Sequence, residues 1–136
     1  MSYESSIAAT VHFLAGEDKV LNYEIFSIGS TTLMEDVATF ALRWEMRKTT
    51  TGKDPYRAQG ASVLSKTSAL AGGITVTGVY NSTRAINTQR VIVTIDDIDT
   101  EALAGGRYVC ALKRTDAGFE AVLSHGVVEL LVASAR

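Results

Sequence analysis

The chain has little of what most catalytic and metal-binding sites are built from. Its single cysteine, Cys110, excludes an internal disulfide framework and any cysteine-rich zinc site. Two histidines, His12 and His125, leave few candidates for acid–base chemistry. No apolar run approaches the ~18 residues of a membrane span. Thirteen bases against 15 acids give a net charge of −2, without the basic excess of an electrostatic nucleic-acid binder. Met1-Ser2-Tyr3-Glu4-Ser5-Ser6 carries no positive charge ahead of an apolar stretch, which argues against a secretory signal. There is no G-x-S-x-G elbow, no G-x-x-x-x-G-K-[ST] loop and no G-x-G-x-x-G fingerprint.

What remains is a chain of 136 residues, 46% hydrophobic, enough for one domain with its own core. Val, Ile and Thr number 36, and β-branched residues fit a pleated, half-buried surface. From 38 to 47 the even positions Ala38, Phe40, Leu42, Trp44 and Met46 alternate with Thr39, Ala41, Arg43, Glu45 and Arg47. Period-two alternation is the mark of a strand with one buried face. Shorter rows are Ile7, Ala9, Val11 and Phe13; Leu21, Tyr23 and Ile25; Ile74 and Val76; Val91, Val93 and Ile95; and Tyr108, Cys110 and Leu112. Val128, Leu130 and Val132 oppose Val127, Glu129 and Leu131, which predicts a last strand covered on both faces. Turn signals fall at Gly16-Glu17-Asp18, Gly72-Gly73, Gly105-Gly106 and Asp116-Ala117-Gly118. The segment 49–55, with the only proline, Pro55, reads as a surface loop. One helical turn is expected at Asp99-Thr100-Glu101-Ala102-Leu103. The expected class is all-β: a single antiparallel immunoglobulin-like sandwich of about eight strands with one short helical turn. It fills 7–132, between an N-terminal arm, 1–6, and a C-terminal tail, 133–136.

The polar clusters point away from catalysis. Asp97-x-Asp99-x-Glu101 starts like a calcium loop, but the required Gly falls on Ala102 and the bidentate Glu on Tyr108. A solvated turn capping a short helix accounts for Asp96 to Glu101, and no partner acid at a useful spacing supports a hydrolase. His12 and His125 lack a third ligand. Cys110 lies between Tyr108 and Leu112 on an apolar row and reads as a core residue. Arg43, Arg47 and Lys48 form a basic patch interrupted by Glu45, and Trp44 reads as core. No catalytic, cofactor-binding or metal residue is assigned, and no cofactor.

One ordered set of short motifs is more specific. Lys66-Thr67-Ser68 precedes Gly73-Ile74-Thr75-Val76-Thr77-Gly78, then Val91-Ile92-Val93-Thr94-Ile95 and Asp99-Thr100. Gly106-Arg107-Tyr108, Leu112, Thr115-Asp116, Gly118 and Leu123-Ser124-His125-Gly126 follow. Leu14-Ala15-Gly16-Glu17-Asp18 leads into Leu21-Asn22-Tyr23-Glu24-Ile25 in the first half. The order, spanning roughly 9–132, resembles the immunoglobulin-like domains of tailed-bacteriophage structural proteins. Upper baseplate N-terminal domains and head-fibre, capsid-cement and neck proteins are similar. Each matched residue has a structural cause: Gly73 and Gly106 suit positive φ, Asp99 caps the helical turn, and Tyr108 resembles a corner tyrosine.

The resemblance implies a non-enzymatic virion component made in the host cytoplasm, with no nucleic-acid or membrane partner. A capsid cement or decoration protein on the major capsid protein is favoured, because upper baseplate proteins continue beyond such a domain and this sequence stops at Arg136. A neck, tail or baseplate adaptor is the alternative location, and a homo-oligomer is compatible with either. Contacts would fall on 1–6, 133–136 and the 49–61 loop. The alternative of another class is a carbohydrate or host-surface binding module, for which Tyr3, Tyr56 and Tyr80 are the candidate exposed aromatics.

Overall fold

The structure is a computed structural model and describes residues 10–27, 30, 32–49 and 58–132. Among the described residues there are eight strands: β1 Thr10–Leu14, β2 Lys19–Tyr23, β3 Leu42–Thr49, β4 Ala58–Thr67, β5 Ile74–Thr77, β6 Arg90–Ile95, β7 Gly106–Arg114 and β8 Ala121–Leu131. One helical turn, α1 Asp97–Thr100, joins β6 to β7. The strands form a five-stranded sheet, β1-β8-β7-β3-β4, and a three-stranded sheet, β2-β6-β5. Together they make a β-sandwich. The expected fold class therefore stands, with one correction. The larger sheet is mixed, because β1 runs parallel to β8, Phe13 opposite Leu130. A parallel neighbour needs a long connection, and here the rest of the domain supplies it. The sequence pattern shows alternation but carries no strand direction.

The alternating rows build the core. Leu42, Trp44 and Met46 of β3 meet Tyr108, Cys110 and Leu112 of β7, and all face Leu21, Tyr23, Val91, Val93 and Ile95 of the smaller sheet. Trp44 and Tyr23 join the layers directly: the Trp44 indole N–H donates to the Tyr23 hydroxyl at 3.1 Å. In β8 both faces are covered in the middle of the strand, where Val127, Val128 and Leu130 are buried, but Leu131 and Val132 beyond them are half exposed, which corrects the expectation at that end.

Several boundaries differ from expectation. Positions 38–41 alternate but lie outside β3, because Ala41 is already bonded to the 115–116 turn. Strand β4 has no clear sequence signature: it is an edge strand of small and polar residues, with one face row too weak to register. Its start at Ala58 also makes part of the supposed 49–61 loop a strand. Residues 50–57, the arm 1–6 and the tail 133–136 lie outside the described residues, as do Tyr3 and Tyr56.

The helical turn sits two residues earlier than expected. Asp96 is the N-cap and Asp99 occupies the third helical position, where its carboxylate accepts the Asp96 N–H at 2.7 Å. Asp99 thus closes the turn from inside it. The same oxygen accepts Lys66 Nζ at 2.7 Å, which ties α1 to β4. Gly16 N–H donates to the buried Thr100 hydroxyl at 3.0 Å, which ties α1 to the β1–β2 turn. Gly73, Gly106 and Gly118 have φ of +96°, +143° and +84°, the left-handed region anticipated for them. At Gly73 a Cβ would also come within 2.6 Å of the Lys66 side chain. Tyr108 donates to the Ala104 carbonyl at 2.6 Å, the corner-tyrosine bond.

Candidate functional site

Three loops converge at one end of the larger sheet, where β3 begins, β7 and β4 end, and β8 begins. The register places Leu42 opposite Arg114, Arg43 opposite Thr67, and Arg114 opposite Ala121. Backbone bonds lock the loops together: Thr115 N–H to Ala41 O at 2.8 Å and Ser68 N–H to Leu42 O at 3.0 Å. Asp116 is the hinge pin. One carboxylate oxygen accepts both the Ala41 N–H at 2.9 Å and Arg114 Nε at 2.8 Å. The Arg114 hydrogen bond, joined by that of Ala41, holds the Asp116 carboxyl below the usual carboxylate range.

So held, the Arg114 guanidinium lies 3.7 Å from the Phe40 ring centre and 4.9 Å from that of Phe119. Arginine over an aromatic face is favourable for both partners. Here it fixes an aromatic that is 64% exposed, since Phe119 follows the Asp116-Ala117-Gly118 turn and reaches solvent. Beside it lies an open depression of about 430 Å³ lined by Lys113, Arg114, Thr115, Glu120, Ala121 and Val122. A second groove of about 450 Å³ is lined by Ala38–Phe40, the 68–73 loop and β5, with Leu70 fully exposed. An ordered aromatic beside a concavity with charged and hydroxyl groups can stack on an apolar ring face while hydrogen-bonding its edges.

The outer face of the larger sheet carries the second polar assembly. Glu45 is only 5% exposed although it points away from the core. Arg43 Nε and Arg47 each lie 2.7 Å from its oxygens, and Lys113 Nζ lies 3.5 Å away. Burial pushes the carboxyl up, but the Arg47 hydrogen bond and the charges of Lys113, Arg43 and Arg47 outweigh it, leaving it below its ordinary value. The basic patch is thus not merely interrupted by Glu45; it is organised around it.

The residues singled out from sequence mostly have structural places. Trp44 and Cys110 are buried in the core, and burial pushes the Cys110 thiol up to about 11. Tyr80 is half-buried and donates to the Met34 carbonyl at 3.0 Å, so it pins a loop instead of presenting a ring. His125 is exposed opposite Ala111, whereas the His12 backbone pairs with Glu129, four residues further along β8. Among the described residues no group of three or more His, Cys, Asp or Glu is placed to hold a metal ion. Nor is any helix there long and apolar enough to cross a membrane. The sequence reading missed Phe40, Arg114 and Phe119. The available signal was a large aromatic placed directly after a turn glycine, where polar residues are usual.

No protein-family model matches the chain, and no curated protein matches it. Many solved structures are similar in shape, and two of them are bacterial adhesin domains. One is described as the GspB Siglec domain: TM-score 0.46, 12% identity, 98% of this chain and 59% of that chain. The other is the sialic acid binding region of a Streptococcus sanguinis SK1 adhesin bound to 3'sLn: TM-score 0.43, 16% identity, 99% of this chain and 31% of that one. Both alignments cover less than two thirds of the other chain, and at these scores neither carries a function across.

Proposed function

We propose that the chain is a non-catalytic binding module whose ligand is a carbohydrate or another component of a host surface, taken up at the Phe40–Arg114–Phe119 end of the larger sheet. The observation that carries this reading is Phe119. A large aromatic that is 64% exposed is also held in place, by an arginine itself fixed on Asp116. Ordering before binding lowers the entropy cost of recognition. The exposed ring offers its surface to the C–H face of a pyranose, and Arg114, Thr115 and Glu120 stand beside it for hydroxyl groups.

A glycan array followed by titration of the best hits tests this reading. Binding is expected in the wild type and should fall at least tenfold in Phe119→Ala, with an unchanged far-UV spectrum. No binder on the array, or a hit indifferent to Phe119→Ala, removes the proposal.

A second reading is the virion component implied by the Lys66 to Gly126 motif order. Gly73, Gly106 and Tyr108 fill the conformational roles expected of them, which supports a shared type of fold and names no partner. Mass spectrometry of purified particles, scaled to the major capsid protein, decides it. A ratio near one or a simple fraction supports cement or decoration, a handful of copies supports a neck or tail adaptor, and absence dismisses both.

A further inference from the structure

Strand β5 is an open edge of the smaller sheet. Its register on β6 sets Ile74 opposite Val93 and Val76 opposite Val91. Thr94 N–H donates to the Gly73 carbonyl at 2.9 Å, and Thr88 N–H donates to the Val79 carbonyl at 3.0 Å. Bonded and non-bonded pairs alternate along an antiparallel ladder. Gly73, Thr75, Thr77 and Val79 therefore turn their peptide groups toward β6, and Ile74 and Val76 turn theirs outward. Among the described residues those outward groups meet no backbone partner. The groove of about 450 Å³ that includes Ile74, Thr75 and Val76 is lined by uncharged residues alone.

Edge strands are commonly blunted by charge. Of the four edges among the described residues, β2 carries Lys19, β4 carries Lys66 and β1 carries His12, whereas β5, Ile-Thr-Val-Thr, has no titratable side chain. From Thr67 to Thr83 the sequence has no charged residue and no proline. An apolar side chain flanks β5 at each end: Leu70 is fully exposed and Val79 is 75% exposed. Leu70 precedes Ala71, whose φ of +59° is the one positive φ outside glycine among the described residues. Strain of this kind persists where the surroundings, or a partner, favour it.

Open backbone groups on an uncharged edge call for an extended strand, and β5 itself is such a strand. Two copies running antiparallel bond their outward groups when Ile74 of one stands opposite the partner's Val76. That register sets Thr75 opposite the partner's Thr75 and brings the Leu70 end of each copy to the Val79 end of the other. No like charges meet, because the stretch has none, and each exposed apolar side chain gains an apolar neighbour.

We propose that two copies of this chain pair through β5 about a two-fold axis at Thr75, joining their three-stranded sheets into one. The contact uses the same surface on both copies, so it closes at the dimer. It is short, in the class of transient interfaces below about 1,200 Å², and forms at high concentration. With no charge at the edge it is indifferent to salt. This inference is independent of the glycan reading, and Phe119→Ala should leave it unchanged.

Sedimentation velocity on the full chain, from micromolar to millimolar concentration, tests it together with a cysteine trap. A reversible dimer is expected, with the same midpoint at low and at high salt. Thr75 is exposed, so its variants keep the fold. Thr75→Lys sets two ammonium groups face to face and should weaken the dimer about fivefold, and Thr75→Glu should act alike. Mixing the two variants should restore association, because opposite charges then meet at the axis. Thr75→Cys puts two thiols at a non-bonded pair, whose Cα separation of about 4.5 Å suits a disulfide. Diamide should link it into a covalent dimer. Thr77→Cys falls opposite the partner's Gly73 and should not link, and the native Cys110 is buried. A wild type that stays monomeric at millimolar concentration, a dimer indifferent to the Thr75 charges, or a Thr75→Cys yield no higher than that of Thr77→Cys overturns the proposal.

Discussion

Two aromatic–polar junctions in this molecule use similar chemistry and serve different ends. In the core, Trp44 donates to Tyr23 across the sandwich, both rings essentially sealed from water. At the rim, Arg114 lies between Phe40 and Phe119, with the outer ring in solvent. Burial makes the difference. A dry junction must satisfy every polar atom and leaves no face for a partner, so it contributes stability and layer registration. A wet junction contributes little stability, but it fixes a large apolar face where a ligand can reach it. The contrast warns against reading aromatics by type alone: Trp44 and Tyr80 are internal fastenings, and Phe119 is the presented ring.

The largest test of this contrast is Trp44→Ala. Removing the biggest fully buried side chain should cost about 3–5 kcal/mol, measured by urea unfolding. Tyr23→Phe should cost about 1–3 kcal/mol, because it leaves the Trp44 N–H without its acceptor in a dry site. It also probes pH. Burial, with a lesser contribution from Cys110 and against the Trp44 hydrogen bond, raises the Tyr23 ionisation far above its usual value. The neutral ring therefore favours the folded state up to the ordinary tyrosine range of about 10, and that stability falls as pH climbs beyond it. The variant should lose this alkaline fall.

Glu45 gives a third, smaller effect of opposite sign. Its carboxyl is held below the ordinary value in the folded chain, so its contribution is complete above the usual glutamate range. That contribution is lost as pH drops through the lower, folded value. Glu45→Gln should flatten the acid limb of a stability–pH profile, and a limb of unchanged slope would show that the three cations do not act through it. Cys110, buried with its thiol pushed up to about 11, should react with a thiol reagent only as fast as the chain opens. Phe119→Ala closes the series with a stability change within about 0.5 kcal/mol. A larger loss would make the rim a fastening like the core and erase the distinction.

The edge strands bear on how such tests are designed. Among the described residues the edges are β1 and β4 in one sheet and β2 and β5 in the other. Val128 lies in β8, not at an edge but between β1 and β7. A proline there would remove a ladder bond in a central strand and report on folding, not on assembly.

The sequence by itself determined the class, most strands, the buried Trp44 and Cys110, the left-handed glycines and the corner tyrosine. All but the corner tyrosine, which came from the motif order around Gly106-Arg107-Tyr108, follow from local rules: side-chain alternation on a pleat, β-branched preference and the backbone freedom of glycine. Tertiary structure alone decided the parallel pairing of β1 with β8, the polar edge strand β4, the three cations gathered on Glu45 and the Phe40–Arg114–Phe119 stack. Phe40 and Phe119 are far apart in the chain, and Glu45 meets Lys113 only because β3 pairs with β7. Such contacts arise from how the strands pair and where their connecting loops converge, which no short window of sequence encodes.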